Sequence, residues 1–353
     1  MPVPATKTSL RLICPGLFGP ADCVAGLDVP TPGLDRLLSR ADCRETAPRD
    51  PLETLAGAFS VPSSPDLDLD LPCAPLCLLT QAPDLAGDGC WFHADPVQLH
   101  PDRDRLLLFA GPSLAVLPAE AAALAAAFNA HFVADGLRLA VPRPGAWYLR
   151  VDQAPRLRTR PLHAVAGRAL DGLLPAGPDA RAWNRWQNEA QMLFYQHPIN
   201  QERERLGRPP VSGVWTWGGG VLPRVSGGPG LTIADHPLAL GLARAAGGRS
   251  LGLGEGARTP LAWAAPDAGP PPGEVLIFWD ALWWPALTGD CDAWRAALAD
   301  LEALAGRLGA ELTAGRVRSL VLDDGQRWTF TLTAWGRRRF WRRGGFTEPR
   351  YFR

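Results

Sequence analysis

Residues 196–220 read Gln196-His197-Pro198-Ile199-Asn200-Gln201-Glu202-Arg203-Glu204-Arg205-Leu206-Gly207-Arg208-Pro209-Pro210-Val211-Ser212-Gly213-Val214-Trp215-Thr216-Trp217-Gly218-Gly219-Gly220. The pattern predicts a helix that presents His197, Asn200 and Arg203 and stops at Gly207, a rigid Pro209-Pro210 connector, a Trp-rich strand over 213–217 and a triglycine. Glycine lets backbone approach a ligand closely and take up positive φ. Arginine supplies a forked donor, and glycine amides can line a concave nest. Asn200, Arg203, Gly218, Gly219 and Gly220 are therefore candidates for binding an anion. The competing reading pairs Arg203 with a neighbouring glutamate on the helix and leaves the glycines as a turn. Trp215 and Trp217 share one side of the strand and either pack or line a pocket.

Upstream, residues 177–205 are read as helical, with Trp183, Trp186, Ala190, Leu193 and Phe194 at core-facing spacing. Residues 9–14 read as a first strand, followed by a helix from Pro32 with Thr31 as its cap. Residues 50–60 form a short amphipathic stretch, and 61–75 a proline-rich loop in which Asp66, Asp68 and Asp70 alternate with leucine. Such carboxylates suit either a hard cation or a solvated loop. A buried strand is expected over 104–110, an Ala-rich helix over 118–134, and strands over 137–141 and 146–151. Downstream come a helix over 235–246 capped by Asp235, a Gly/Pro-rich connector over 253–273, a buried strand over 274–279 and a long helix over 292–309. A hairpin over 316–333 turns at Asp323-Asp324-Gly325. Alternating strands and helices argue for an α/β fold with a mainly parallel sheet and helices on both faces. The interrupting middle block argues for an inserted α+β subdomain at 92–165, which splits the core into 1–91 and 166–353.

The 353 residues suffice for real cores, and the formal net charge of zero gives no broad attraction to nucleic acid or membrane. No segment has the length of a membrane span or of a signal peptide's apolar region, so a cytoplasmic location is expected. Seven cysteines at irregular spacing read as reduced thiols, and Cys73-x-x-x-Cys77 has no partner pair or nearby histidine for zinc. The segment Trp335-Gly336-Arg337-Arg338-Arg339-Phe340-Trp341-Arg342-Arg343 is basic and aromatic, suited to phosphates and bases or to covering an acidic surface of its own domain; the second is favoured.

The pattern His-Pro-x-Asn-x-x-Arg-x-x-x-Gly-x-x-Pro-x-x-x-x-Trp-x-Trp-Gly-x-Gly at 197–220 resembles archaeal-type, cofactor-independent phosphoglycerate mutases of the alkaline phosphatase superfamily. It resembles more closely a bacterial branch of regulatory proteins of the RpfE type. Thr31-Pro32-Gly33-Leu34-Asp35, Trp91-Phe92-His93-Ala94-Asp95-Pro96-Val97-Gln98-Leu99 and Pro161-Leu162-His163-Ala164-Val165-Ala166-Gly167 are similar to further family segments, and Phe340-Trp341-Arg342-Arg343 to the end of the bacterial branch. The resemblance implies an alkaline-phosphatase-like core, two divalent metals held by Asp and His, and a serine that carries the phosphoryl group.

The sequence departs from that pattern at the implied positions. Pro15-Gly16 stands where Asp-Gly follows the first strand in the family. The nucleophile's place falls near Leu71-Pro72-Cys73, which leaves Cys73, or Ser63 and Ser64 upstream, as candidates. The late metal motif reads Asp280-Ala281-Leu282-Trp283-Trp284-Pro285-Ala286-Leu287-Thr288-Gly289-Asp290, with Asp280 and Asp290 as metal candidates and no histidine. Asp290 serves equally as a helix cap. His163, like His197, is a catalytic candidate or a hydrogen-bonded structural histidine. The expectation is a catalytically degenerate, regulatory or ligand-binding protein without a cofactor, with a small anionic or phosphorylated ligand or a protein as partner, and no membrane or nucleic acid. The alternative is an active phosphoglycerate mutase or phosphatase using Mn, Zn or Mg.

Overall fold

The computed structural model describes residues 8–61, 70–87, 89–102, 105–256, 272–333, 335–339, 341–342 and 344–348. Asp66, Asp68, Ser63, Ser64, Phe340 and Arg343 lie outside the described residues. The chain begins with β1 (Thr8–Ile13), α1 (Ala21–Ala25), α2 (Pro32–Arg40), β2 (Asp42–Glu45) and α3 (Pro51–Gly57). It continues through α4 (Cys73–Gln81), β3 (Cys90–Asp102), β4 (Arg105–Ala110), α5 (Pro118–Phe132), β5 (Leu137–Arg143), β6 (Ala146–Val151), α6 (Leu162–Val165), α7 (Ala180–Tyr195), α8 (Pro198–Arg205) and β7 (Gly213–Gly220). It ends with β8 (Leu231–Ala234), α9 (Pro237–Ala245), β9 (Arg249–Leu251), α10 (Leu253–Gly256), β10 (Glu274–Phe278), α11 (Trp283–Thr288), α12 (Cys291–Thr313), β11 (Val317–Asp323) and β12 (Trp328–Thr333).

Two compact units result: Met1–Pro62 with Arg224–Arg353, and Ser63–Pro223. The second is wider than the insert expected at 92–165, because α7, α8 and β7 build the second unit's sheet and core.

The first unit's sheet has the order β2-β12-β11-β1-β10-β8-β9. Its five strands from β11 to β9 are parallel, and β12 and β2 extend it in antiparallel pairing. Every described position of β8 is buried, as is β10 after Glu274, which accounts for their apolar residues apart from Thr232. Leu10, Leu12, Val275 and Ile277 pack with Leu34 and Leu37 of α2 and Trp294, Leu298, Leu301 and Leu308 of α12. On α12 those positions recur every three or four residues, the period of one helix face.

The hairpin is held at its turn by Asp324, whose Oδ1 accepts the N–H groups of Gln326, Arg327 and Trp328 at 2.7–2.8 Å. Two expectations need correction here. The cap of α9 is His236, whose Nδ1 accepts the Leu238 N–H, while Asp235 accepts the Leu253 N–H. Cys23 and Cys291 form a disulfide rather than standing as free thiols; the fold brings α1 to the start of α12 across a sequence separation of 268.

In the second unit, β3 pairs antiparallel with β4, β6 and β7, and β6 with β5. One face carries α5 and α7, through Leu124, Phe128, Phe132, Trp183, Trp186 and Phe194. The helix α4 packs on β3 and β7 and includes Cys73, which the expected loop over 61–75 had absorbed. The strand at 105–110 is largely exposed rather than buried; it pairs with the outer half of β3 and bridges to Ala169. The long helix expected over 177–205 breaks at His197, whose Nδ1 accepts the Ile199 N–H and starts α8.

The triglycine closes β7 against its own unit. A Cβ on Gly219 would lie 2.0 Å from Cε1 of Phe92, and Cβ atoms on Gly218 and Gly220 would lie 3.0 Å from Cys73 and Pro72. Gly218 also has φ of +60°. Gly219→Ala is expected to cost about 1–3 kcal/mol by forcing Phe92 out of its seat, read as a lower denaturant midpoint with an unchanged slope.

Candidate functional site

Parallel strands deliver their carboxyl ends to one edge, where α/β proteins place their chemistry. In the first unit that edge gathers Cys14 after β1, Asp235 and His236 after β8, Asp280 after β10, and Asp323 and Asp324 at the end of β11. The Cys14 N–H continues the ladder to the Asp323 carbonyl, and the Trp279 N–H to that of Ile13. Burial pushes the Cys14 thiol well up, reinforced by the charges of Asp324 and Asp280. Burial also pushes Asp280 up to about 6, against a hydrogen bond from its own backbone N–H and with added repulsion from Asp235.

The remaining carboxylates there are already committed. Asp323 is buried between Arg11 and Arg49, each at 3.1 Å, and accepts the Gly325 N–H. Asp324 holds the hairpin turn, and burial raises it despite its backbone donors. Asp290, a metal candidate by sequence, caps α12 by accepting the Ala293 N–H at 3.0 Å. Among the described residues, no three or more His, Cys, Asp or Glu side chains are grouped so as to hold a metal ion. These residues do not fit a two-metal centre. The sequence reading had picked Asp280 but not Cys14, Asp235 or His236. The usable signal was the short apolar run 231–234 ending in Asp-His.

In the second unit, the residues expected to bind an anion are built into the structure instead. Arg203 is fully buried: its Nη1 meets Glu120 at 2.6 Å, its Nε donates to the Pro209 carbonyl and its Nη2 to the Leu114 carbonyl. Arg208 shares Glu120 at 2.7 Å. Burial raises the Glu120 carboxyl, but the Leu117 N–H and the two guanidinium groups outweigh it and hold the group below its ordinary range. Asn200 ties α8 to the connector, donating to the Phe194 and Val211 carbonyls and accepting the Val211 N–H, each at 2.8 Å. Arg203 thus has a partner 83 residues away rather than on its own helix. Gly218, Gly219 and Gly220 meet Cys73, Phe92 and Pro72, so their role is close packing of the chain on itself.

Trp215 is buried and donates to the Arg160 carbonyl; Trp217 donates to Asp95 Oδ2 at 2.5 Å and stacks on His93 at 4.3 Å. His163 lies half-buried in α6. Two depressions along α7, of about 1240 and 380 Å³, are lined by residues such as Arg181, Asn184, Asn188, Trp183 and Asp152 and by none of the sequence candidates.

A further buried polar cluster lies between α4 and the sheet; the sequence reading singled out its Cys73 and Trp217 but not the acid, tyrosine and other groups around them. The cluster comprises Asp95 and His93 of β3, Tyr148 of β6, Trp217 of β7, and Cys73, Cys77 and Gln81 of α4. Tyr148 donates to Gln81 Oε1 at 2.6 Å. Burial lifts Asp95 to about 7, partly offset by the Trp217 N–H. Burial, with the nearby Asp95 charge, also raises the Cys77 thiol, and burial with Cys77 and Asp95 raises the Tyr148 hydroxyl. Cys73, the nucleophile candidate, is buried at the start of α4.

Between its ordinary value of 3.8 and about 7, Asp95 holds its proton in the folded state and loses it in the unfolded one. Stability is therefore expected to fall as pH rises through that window. Asp95→Asn removes this slope, on the order of 4 kcal/mol between the two limits, read from unfolding curves across pH. Arg203→Ala leaves Glu120 without its buried partner and is expected to cost about 3 kcal/mol, measured by chemical denaturation.

No family model matches the chain. It is 28% identical over 130 residues to the 2,3-bisphosphoglycerate-independent phosphoglycerate mutase of Methanothrix thermoacetophila, covering 33% of each chain. It is 30% identical over 64 residues to the corresponding protein of Methanosarcina mazei, covering 18% of this chain and 16% of that one. The chain thus spans 33% or less of the length of these curated relatives. Among solved structures, the PH0037 protein of Pyrococcus horikoshii superposes with a TM-score of 0.57 at 16% identity, covering 93% of this chain and 87% of that one. A cofactor-independent phosphoglycerate mutase from Thermoplasma acidophilum gives a TM-score of 0.44 at 15% identity, covering 93% and 90%. The chain is distantly homologous to cofactor-independent phosphoglycerate mutases, and its fold is mixed α/β with a mainly parallel sheet.

Proposed function

We propose that this chain is a catalytically degenerate relative of the cofactor-independent phosphoglycerate mutases, with an alkaline-phosphatase-like core, that acts as a regulatory or ligand-binding protein of the bacterial RpfE type. The reading takes the protein as cytoplasmic, independent of a metal or other cofactor, and directed at a small phosphorylated ligand or a protein partner. One observation carries it: the polar groups at the carboxyl edge of the parallel sheet are committed to the fold. Asp323 is consumed by two arginines, Asp324 by a turn and Asp290 by a helix cap, and Asp280 is buried with a raised affinity for its proton. Two-metal phosphoryl transfer needs a cage of ionised donors around both reacting oxygens. Pro15-Gly16 offers no carboxylate after β1.

The alternative, an active metal-dependent mutase or phosphatase, draws support from the charge of Asp235 felt by Asp280 at that same edge. The two readings separate in one experiment. The purified protein is assayed for interconversion of 2- and 3-phosphoglycerate and for phosphatase activity with added manganese, zinc or magnesium, alongside its metal content. The expected outcome is no turnover above a chelated control and substoichiometric metal. Chelator-sensitive turnover abolished by Asp280→Asn would instead establish the enzyme.

A further inference from the structure

The disulfide between Cys23 and Cys291 joins two places in the first unit with little else to hold one of them. The helix α1 has five residues, no side-chain cap and one buried residue, Cys23. A helix of that length does not persist on its own hydrogen bonds. Ala21, Asp22, Ala25 and Gly26 are exposed, and Val24 and Leu27 are only partly buried against the core. Besides the disulfide, α1 receives from α12 a 3.3 Å hydrogen bond from Arg295 Nη2 to the Cys23 carbonyl. Before it, Leu17 and Phe18 are buried in the core in their own right, and after it α2 starts at Pro32 with its own buried face. The segment that depends on the bond is therefore about 20–30.

The two cysteines differ in access. Cys23 is fully buried, whereas Cys291 is half-buried in the first turn of the 23-residue α12. An incoming thiolate reaches Cys291 Sγ first, and access governs which sulfur is attacked. Backbone N–H groups at the start of a long helix favour a thiolate there, which helps Cys291 leave once it is held in a mixed disulfide. Both cysteines adjoin loops at the carboxyl edge of the sheet. Cys23 follows the loop that leaves β1, and Cys291 follows the segment from β10 that contains Asp280 and Asp290.

We propose that Cys23–Cys291 is a reversible thiol–disulfide latch, opened by a dithiol reductant and closed by the reverse exchange with a disulfide oxidant, that sets whether α1 is held at the sheet edge or released. One thiolate of the reductant attacks Cys291 Sγ, the S–S bond breaks, and Cys23 leaves as a thiolate that takes up a proton. The reductant's second thiol then attacks its own half of the mixed disulfide and releases Cys291. Two electrons and two protons pass to the protein, and the reductant becomes a disulfide. In a reducing compartment bonds of this kind are transient or sensing. The latch is independent of whether the protein retains phosphoryl transfer.

The test uses the full chain, oxidised in air and then treated with dithiothreitol, with thiol counting, peptide mapping and hydrogen exchange. Oxidised protein should show the five free cysteines Cys14, Cys43, Cys73, Cys77 and Cys90 and a linked peptide containing Cys23 and Cys291. Reduction should expose two more thiols and speed exchange over 20–30 by roughly tenfold or more, with β1 and β10 unchanged and protection restored on reoxidation. The C23S/C291S variant should show the fast pattern with or without reductant; if it fails to fold, the wild-type comparison decides. Seven thiols after air oxidation, or exchange over 20–30 that ignores reduction, would overturn the latch.

Discussion

Parallel pairing of five strands is the constraint on which the first unit depends. It requires every connection to cross back over a face of the sheet, so helices must cover both faces and the strands must be apolar throughout. β8 and β10 come close to that demand, with Thr232 the one polar residue among their buried positions. It also sends Cys14, Asp235, Asp280 and Asp323 to one edge, although they are scattered over three hundred residues of sequence. Carboxyl groups crowded there meet different local partners. Asp323 meets arginines, Asp324 meets backbone N–H groups, and Asp280 keeps its proton more tightly.

The second unit solves a similar problem differently. Its sheet is antiparallel, with α5 and α7 on one face and α4 packed on β3 and β7. Ordinary apolar packing fills the first face. The face toward α4 carries His93, Asp95, Tyr148 and Trp217, and its fit relies on glycines that let β7 lie close to Phe92, Pro72 and Cys73. In three dimensions the glycines of the motif lie close against the chain itself.

Elements whose signals are local were legible. The strand at 274–278, the hairpin around Asp323-Asp324-Gly325 and the helix at 291–313 each show their period and their turn within a few residues. β3 was hidden because Pro96 and Pro101 interrupt its pattern, and β8 because four residues carry too little period. The site was less legible than the fold. Arg203 reads as an anion binder or as the partner of a glutamate on its own helix, whereas it meets Glu120 far along the chain. Asp95 is an unremarked acid in sequence, since its properties come from what buries it. Ion pairing and desolvation depend on distant neighbours, and no local pattern encodes them.

The disulfide has a topological consequence of its own. Cys23 belongs to the part of the first unit that precedes the second, and Cys291 to the part that follows it. The bond therefore closes the backbone into a covalent ring that contains the whole of Ser63–Pro223. A single cut anywhere inside that ring opens it without releasing a fragment. The two halves of the parallel sheet stay on one molecule until the sulfur bridge is also broken, so a nicked chain and an intact one have the same mass apart from one water.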